Sequence, residues 1–219
     1  HYVDGPVLDL ENQSFVGMHE VPIVYGLTIG EYATMINNEG WLNNNMKSNL
    51  TIIELKNYDR KVTYDLPILP SPNLPNRKSI NLYPSLCLFE GTNVSAGRGT
   101  EMQFQIYGSP YLNKEKNNFR FTPKKNSGSK YPKHENLLCY GKNLSENKKL
   151  DKFDLSFLLN AYSDTNDKQN FFNNYFDKLA GTNSLKNQII SGLSEKKIIQ
   201  SWKKKLDIYK EMRMKYLIY

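Results

Sequence analysis

"EGTNVSAGRGTEMQFQIYG", Glu90–Gly108, is the stretch on which the reading of the whole chain turns. Between Glu90 and Phe104 it crowds three glycines, three hydroxyls, two amides, a guanidinium and two carboxylates. Backbone N–H groups freed of side chains suit an anion, so a phosphate loop is the first thing to test. A P-loop needs G-x-x-x-x-G-K-[ST], and a dinucleotide fingerprint needs G-x-G-x-x-G opening a helix. Here Gly97-Arg98-Gly99-Thr100 runs instead into Met102, Phe104 and Ile106, which alternate as in a strand. A glycine loop delivered into a strand argues against both nucleotide folds and predicts a polar loop backed by a sheet.

Upstream, "LTIGEYATMINNEGWL" carries Thr28 and Glu31 in capping-box spacing, with Ile29, Tyr32, Ala33 and Ile36 at helical intervals and Gly40 as a stop. This predicts a helix from Ile29 to Glu39. "LTIIEL", Leu50–Leu55, is short and β-branched and predicts a strand; "LPILPSPNLPN" carries four prolines and predicts an extended surface loop. The last third reads as helices. "NFFNNYFDKLAG" and "TNSLKNQIISGL" are each closed by a glycine, Gly181 and Gly192, and Ser194 caps a longer pattern in which Ile198, Trp202, Leu206, Tyr209, Arg213 and Tyr216 fall three or four apart. That stripe is a core face, and the lysines at 203, 204 and 205 are its wet side. Strands and loops first, helices later, give an α+β domain: a small mixed sheet with proline- and glycine-rich loops, followed by a helical C-terminal third.

The formal net charge of +7 raises the question of a nucleic-acid partner. Residues 1–100 carry 7 basic against 10 acidic residues, so the excess lies entirely in the second half, away from the glycine loop. With 24 Lys and only 5 Arg, the chain is poor in the bidentate guanine reader, and the tract from Lys114 to Lys133 reads as a solvated loop. No nucleic-acid partner is expected. No apolar run approaches a membrane span. Cys87 and Cys139 allow one disulfide, although buried free thiols fit better, and His1, His19 and His134 lack any companion at ligand spacing. Neither a metal nor another cofactor is expected. The chain opens at His1 without a methionine, as a fragment or processed product would.

The strings "VDGPVLDLENQSFVG", "VPIVYGLTIGEYATMIN", "LPSPNLPN", "LFEGTNVSAGRGT", "YGSPY" and the final "FDKLAGTNSLKNQIISGLSEKKIIQSWKKKLDIYKEMRMKYLIY" together resemble the C-terminal portion of the NamZ family of peptidoglycan exo-β-N-acetylmuramidases. The resemblance implies a Rossmann-like N-terminal catalytic domain as partner, with residues 1–20 as its tail or linker and 21–219 as the C-terminal auxiliary domain. It also implies a sugar pocket where the two domains meet, a muramic-acid-containing glycan as ligand, and an extracytoplasmic location.

Position by position, the resemblance carries substrate-binding roles onto Ser71 and Asn73 in the proline-rich loop and onto Thr92, Asn93, Ser95, Arg98 and Thr100, with Glu90 as the catalytic candidate. Their chemistry suits the ligand. Muramic acid presents hydroxyls, an N-acetyl amide and a lactyl carboxylate, which call for short amide and hydroxyl groups and one guanidinium. Glycosidases commonly place two carboxyl groups across the scissile bond, so with only Glu90 here the second is expected from the N-terminal domain. Where family members often carry acids, this chain has Ala96 and Gln105. A non-catalytic cell-wall glycan-binding module is therefore the alternative. A purely structural alternative pairs Glu90 with Arg98 inside a stiffened turn and has Asn93 bond its own backbone.

Overall fold

The computed structural model describes residues 2–219. The α+β class holds. Its strand component is two small sheets rather than one, and every pairing is antiparallel. Strands β1 (Asp4–Val7) and β2 (Pro22–Val24) form the first; β3 (Ile106–Ser109), β4 (Phe119–Phe121) and β5 (Cys139–Asn143) form the second, in the order β3-β5-β4. Helices α1 (Ile29–Asn38) and α2 (Arg77–Leu86) lie between the sheets in sequence, and α3 (Ser156–Asp164), α4 (Phe176–Ala180), α5 (Ser184–Ile190) and α6 (Glu195–Met214) fill the last third.

Helix α1 starts where its capping box puts it. Thr28 Oγ1 accepts from Glu31 N, and Glu31 Oε2 accepts from Thr28 N at 2.7 Å, so two otherwise orphaned donors are satisfied at once. Helix α6 is held by its stripe: Ile198, Trp202, Leu206 and Tyr209 are buried, and Arg213 donates to Gly26 O at 2.9 Å. Large apolar side chains of this kind contribute about 1.5–3 kcal/mol each when removed from water, so the stripe clamps α6 against β1, its main neighbour. The expected short helices before it end at Ala180 and Ile190, followed by Gly181 and Gly192 at positive φ.

Two strand expectations fail. Leu50–Leu55 pairs with no strand among the described residues: Leu55 N donates instead to Tyr219 Oη at 2.7 Å, and Ile53 is 86 % exposed. A β-branched run without a neighbouring edge has no ladder to join. The strand expected to begin at Glu101 begins at Ile106, because Phe104 adopts φ +52° and Gln105 N donates to Met102 O, closing a turn that breaks the alternation. The proline-rich segment between Leu66 and Asn76 carries no helix or strand, as expected.

The fold positions the glycine loop from both ends. Helix α2 passes at Cys87 into a 3-10 turn, Cys87–Gly91, whose fourth residue is Glu90. Ser95 then exchanges backbone hydrogen bonds with Gly108, at 2.8 and 3.0 Å, fastening the loop to β3. Residues 92–100 hang between these anchors.

Candidate functional site

Most hydroxyls of the loop shape the loop itself. Thr92 Oγ1 donates to Phe89 O at 2.9 Å and accepts from Val94 N; Ser95 Oγ accepts from Gly97 N; Thr100 Oγ1 donates to Gly97 O at 2.7 Å and accepts from Met102 N. Short side chains bonding backbone two or three residues away replace a ladder where the chain turns. In the proline-rich loop Ser71 Oγ likewise accepts from Asn73 N at 3.2 Å.

The other carried-over residues differ. Asn93 Nδ2 and Oδ1, Arg98 Nε and Asn73 Oδ1 are buried and have no hydrogen-bond partner among the described residues. Leaving such groups unpaired costs about 1–3 kcal/mol each, so a fold that retains several in one region asks for a reason. The structural alternative is met in one half only. Arg98 Nη1 does reach Glu90 Oε2, at 3.3 Å, with side chains 38 % and 32 % exposed, but Asn93 does not bond its own backbone. Around this pair stand Tyr83, which is 42 % exposed with its ring edge on Phe104, and Tyr175; burial pushes the Tyr83 phenol up, with Cys87 and Glu90 pushing the same way and Arg98 opposing.

Asn73 joins this region through a single turn. Its Nδ2 donates to Gly128 O at 2.7 Å, while Asn126, two residues earlier, donates to Thr100 O. Both arms of the site are tied to the Asn126–Ser129 turn.

Two glycines are dictated by position. Gly97 and Gly99 sit at φ +79° and +80°. A Cβ on Gly97 would lie 2.7 Å from Ile106 Cγ1, and one on Gly99 would lie 2.5 Å from Pro132 Cβ. Gly99→Ala is expected to cost about 1–3 kcal/mol from backbone strain alone, with the Pro132 clash added. A thermal melt checks it, and an unchanged midpoint would contradict this account of the loop.

Sequence reasoning missed Lys133, the last residue of the tract read as solvated, and weighed His134 only as a metal ligand. Lys133 Nζ donates to Phe89 O, Thr92 O and Val94 O at 2.8, 2.6 and 2.9 Å. Burial pulls its ammonium down to about 8, opposed by the charge of Glu90 and reinforced by Arg98. His134 Nε2 lies 2.7 Å from Asn93 O, which can only accept, so the Nε2–H tautomer is fixed. Burial also lowers His134, which keeps the ring neutral. No local pattern separates this lysine from the exposed ones around it; a lysine followed by histidine at the end of a proline turn was the one available signal.

The remaining sequence readings resolve simply. Cys87 and Cys139 are free, and burial pushes both thiols up to about 12, out of the reactive range. Ala96 is a core residue, and Gln105 is buried with Oε1 accepting from Asn76 Nδ2 at the start of α2. The two positions that lack the family's acids thus lie inside the fold. His1 lies outside the described residues; among those described, no cluster of His, Cys, Asp and Glu could hold a metal, and no helix is long and apolar enough to cross a membrane.

The α+β unit thus presents a glycine-rich polar loop carrying an acid, Glu90, a guanidinium, Arg98, and the amide of Asn93, with Asn73 tied to it through the Asn126–Ser129 turn. The chain belongs to the NamZ family: the model for the C-terminal region of exo-β-N-acetylmuramidase NamZ matches residues 81–219, and the model for its N-terminal region matches residues 1–78. It is 35 % identical to the peptidoglycan β-N-acetylmuramidase NamZ of Bacillus subtilis, over all of this chain and 56 % of that protein. Among solved structures, a DUF1343 family protein of Bacteroides fragilis superposes with a TM-score of 0.95 at 44 % identity, covering all of this chain and 63 % of that one. A second DUF1343 family protein of the same organism shares the fold, with a TM-score of 0.79 at 20 % identity and 62 % of its length covered. The chain thus spans a little over half the length of these relatives.

Proposed function

We propose that this chain supplies the pocket-completing part of a glycoside hydrolase that removes N-acetylmuramic acid from the non-reducing ends of peptidoglycan fragments outside the cytoplasm. The observation that carries the reading is the set of unpartnered buried polar atoms on Asn93 and on Arg98, which contacts Glu90, together with Asn73 Oδ1, tied to the loop through the Asn126–Ser129 turn, in a family whose matched relative is a muramidase. A glycan supplies the partners those atoms lack: hydroxyls and an N-acetyl group for the amides, a lactyl carboxylate for the guanidinium. Glu90 is the acid or base this chain contributes. Its opposite carboxyl group comes from the N-terminal catalytic domain.

This division of labour has a direct test. The isolated chain is expected to release no muramic acid from a chromogenic muramide, whereas the intact protein does so and loses the activity with Glu90→Gln. Turnover by the isolated chain would contradict the division. A second reading, a non-catalytic glycan-binding module, is favoured by the engagement of Glu90 with Arg98; it predicts an intact protein that binds the sugar and releases nothing.

A further inference from the structure

We propose that Lys133 is a positioning residue for the site, its ammonium holding the Phe89–Val94 backbone in the one shape that leaves the Asn93 amide unused. The proposal rests on the reading of the loop as a glycan site. Its basis is the convergence of one segment on one loop. Lys133 takes the carbonyls of residues 89, 92 and 94, and His134 takes that of residue 93. Four carbonyls within six residues are thus drawn to two adjacent side chains. The same segment grips the loop further on: Lys124 N donates to Gly99 O at 2.8 Å, Pro132 packs on Gly99, and Asn126 reaches Thr100 O.

An ammonium with three donors on three carbonyls does the work of a small structural cation. Phe89 O is also met locally, by Thr92 N at 3.0 Å and Thr92 Oγ1 at 2.9 Å, but among the described residues no backbone N–H takes the carbonyls of Thr92, Asn93 or Val94. Turning the backbone to satisfy those three locally would offer Asn93 the partners that asparagine takes in turns. With the carbonyls held by Lys133 and His134, both polar ends of Asn93 stay without a partner. The positive charge also lies within electrostatic reach of Glu90 and of Arg98.

The test uses the intact protein and Lys133→Ala, with and without ethylammonium, which restores an ammonium on a chain one carbon shorter than the one removed. Hydrogen exchange at residues 89–98 reads the loop, and calorimetric titration with N-acetylmuramic acid reads the site. In Lys133→Ala exchange of these amides is expected to accelerate while that of α6 does not, and affinity is expected to fall about tenfold or more, both recovering as ethylammonium is added. If the alanine variant does not fold, Lys133→Gln, which keeps N–H donors without the charge, takes its place with the same readouts. A loosened loop with unchanged affinity, or unchanged exchange at 89–98, overturns the positioning role alone. A wild-type protein with no affinity for the sugar overturns the underlying reading of the site, and the proposal with it.

Discussion

Glu31→Ala is expected to lower stability by about 3–5 kcal/mol, the usual cost of leaving a buried ion without its partner. Glu31 is fully buried, and its Oε1 accepts from Arg60 Nη2 at 2.5 Å and from Ile218 N at 2.8 Å, while Oε2 accepts from Thr28 N. One carboxylate therefore joins the start of α1, the irregular segment around residue 60 and the residues after α6. Arg60 also donates to Gly26 O at 2.9 Å, the carbonyl that Arg213 of α6 uses. Removing the acid leaves two guanidinium groups sharing one carbonyl, with Tyr219 O, at 3.2 Å from Arg60 Nε, as a further acceptor. For a chain of this size the melting temperature should fall by about 6–20 °C, and a drop of under 2 °C would contradict the role assigned to Glu31. Burial pushes the Glu31 carboxyl up, yet the Arg60 guanidinium and the Thr28 and Ile218 amides outweigh it and hold it at about 2. Because the folded value lies below the unfolded one, this contribution is complete above about pH 4.5. It is lost as the pH falls toward 2, and the acid limb of the unfolding curve should flatten in the mutant.

Arg98→Ala carries the second large effect. A charge-assisted hydrogen bond is worth roughly 1.5–3 kcal/mol, so loss of the guanidinium should weaken N-acetylmuramic acid binding about tenfold to a hundredfold. N-acetylglucosamine lacks the lactyl group and should lose much less. Arg98→Lys keeps the charge without the planar fork and should fall between. The Glu90–Arg98 contact does not decide this in advance. It is a single 3.3 Å contact between side chains about a third exposed, and such pairs contribute only about 0–1 kcal/mol. If Arg98 serves only to brace Glu90, the alanine variant will impair both sugars equally.

Helices α1, α4, α5 and α6 were legible because local chemistry sets them: the Thr28–Glu31 box, the glycines at 181 and 192, and the stripe from Ile198 to Tyr209 depend on near neighbours, whereas α2 and α3 were not anticipated. Leu50–Leu55 and Glu101–Gln105 misled for the opposite reason. A strand exists only with a partner, and alternation cannot report the left-handed turn at Phe104. In the candidate site, the sequence singled out the loop but could not sort Thr92, Ser95 and Thr100, whose hydroxyls bond backbone, from Asn93 and Arg98, where the Asn93 amide and Arg98 Nε remain unpartnered. Lys133 was invisible for a related reason: turning one lysine inward among two dozen is a tertiary event.

The most direct measurement is a nuclear magnetic resonance titration of the intact protein, following the side-chain signals of Arg98 Nε–H and Asn93 Nδ2. Saturable shifts of both with N-acetylmuramic acid are predicted, while N-acetylglucosamine moves the Asn93 signal and leaves Arg98 Nε–H nearly still. If neither signal responds to muramic acid, or both sugars move Arg98 alike, the loop at 90–100 is not a reader of the lactyl carboxylate.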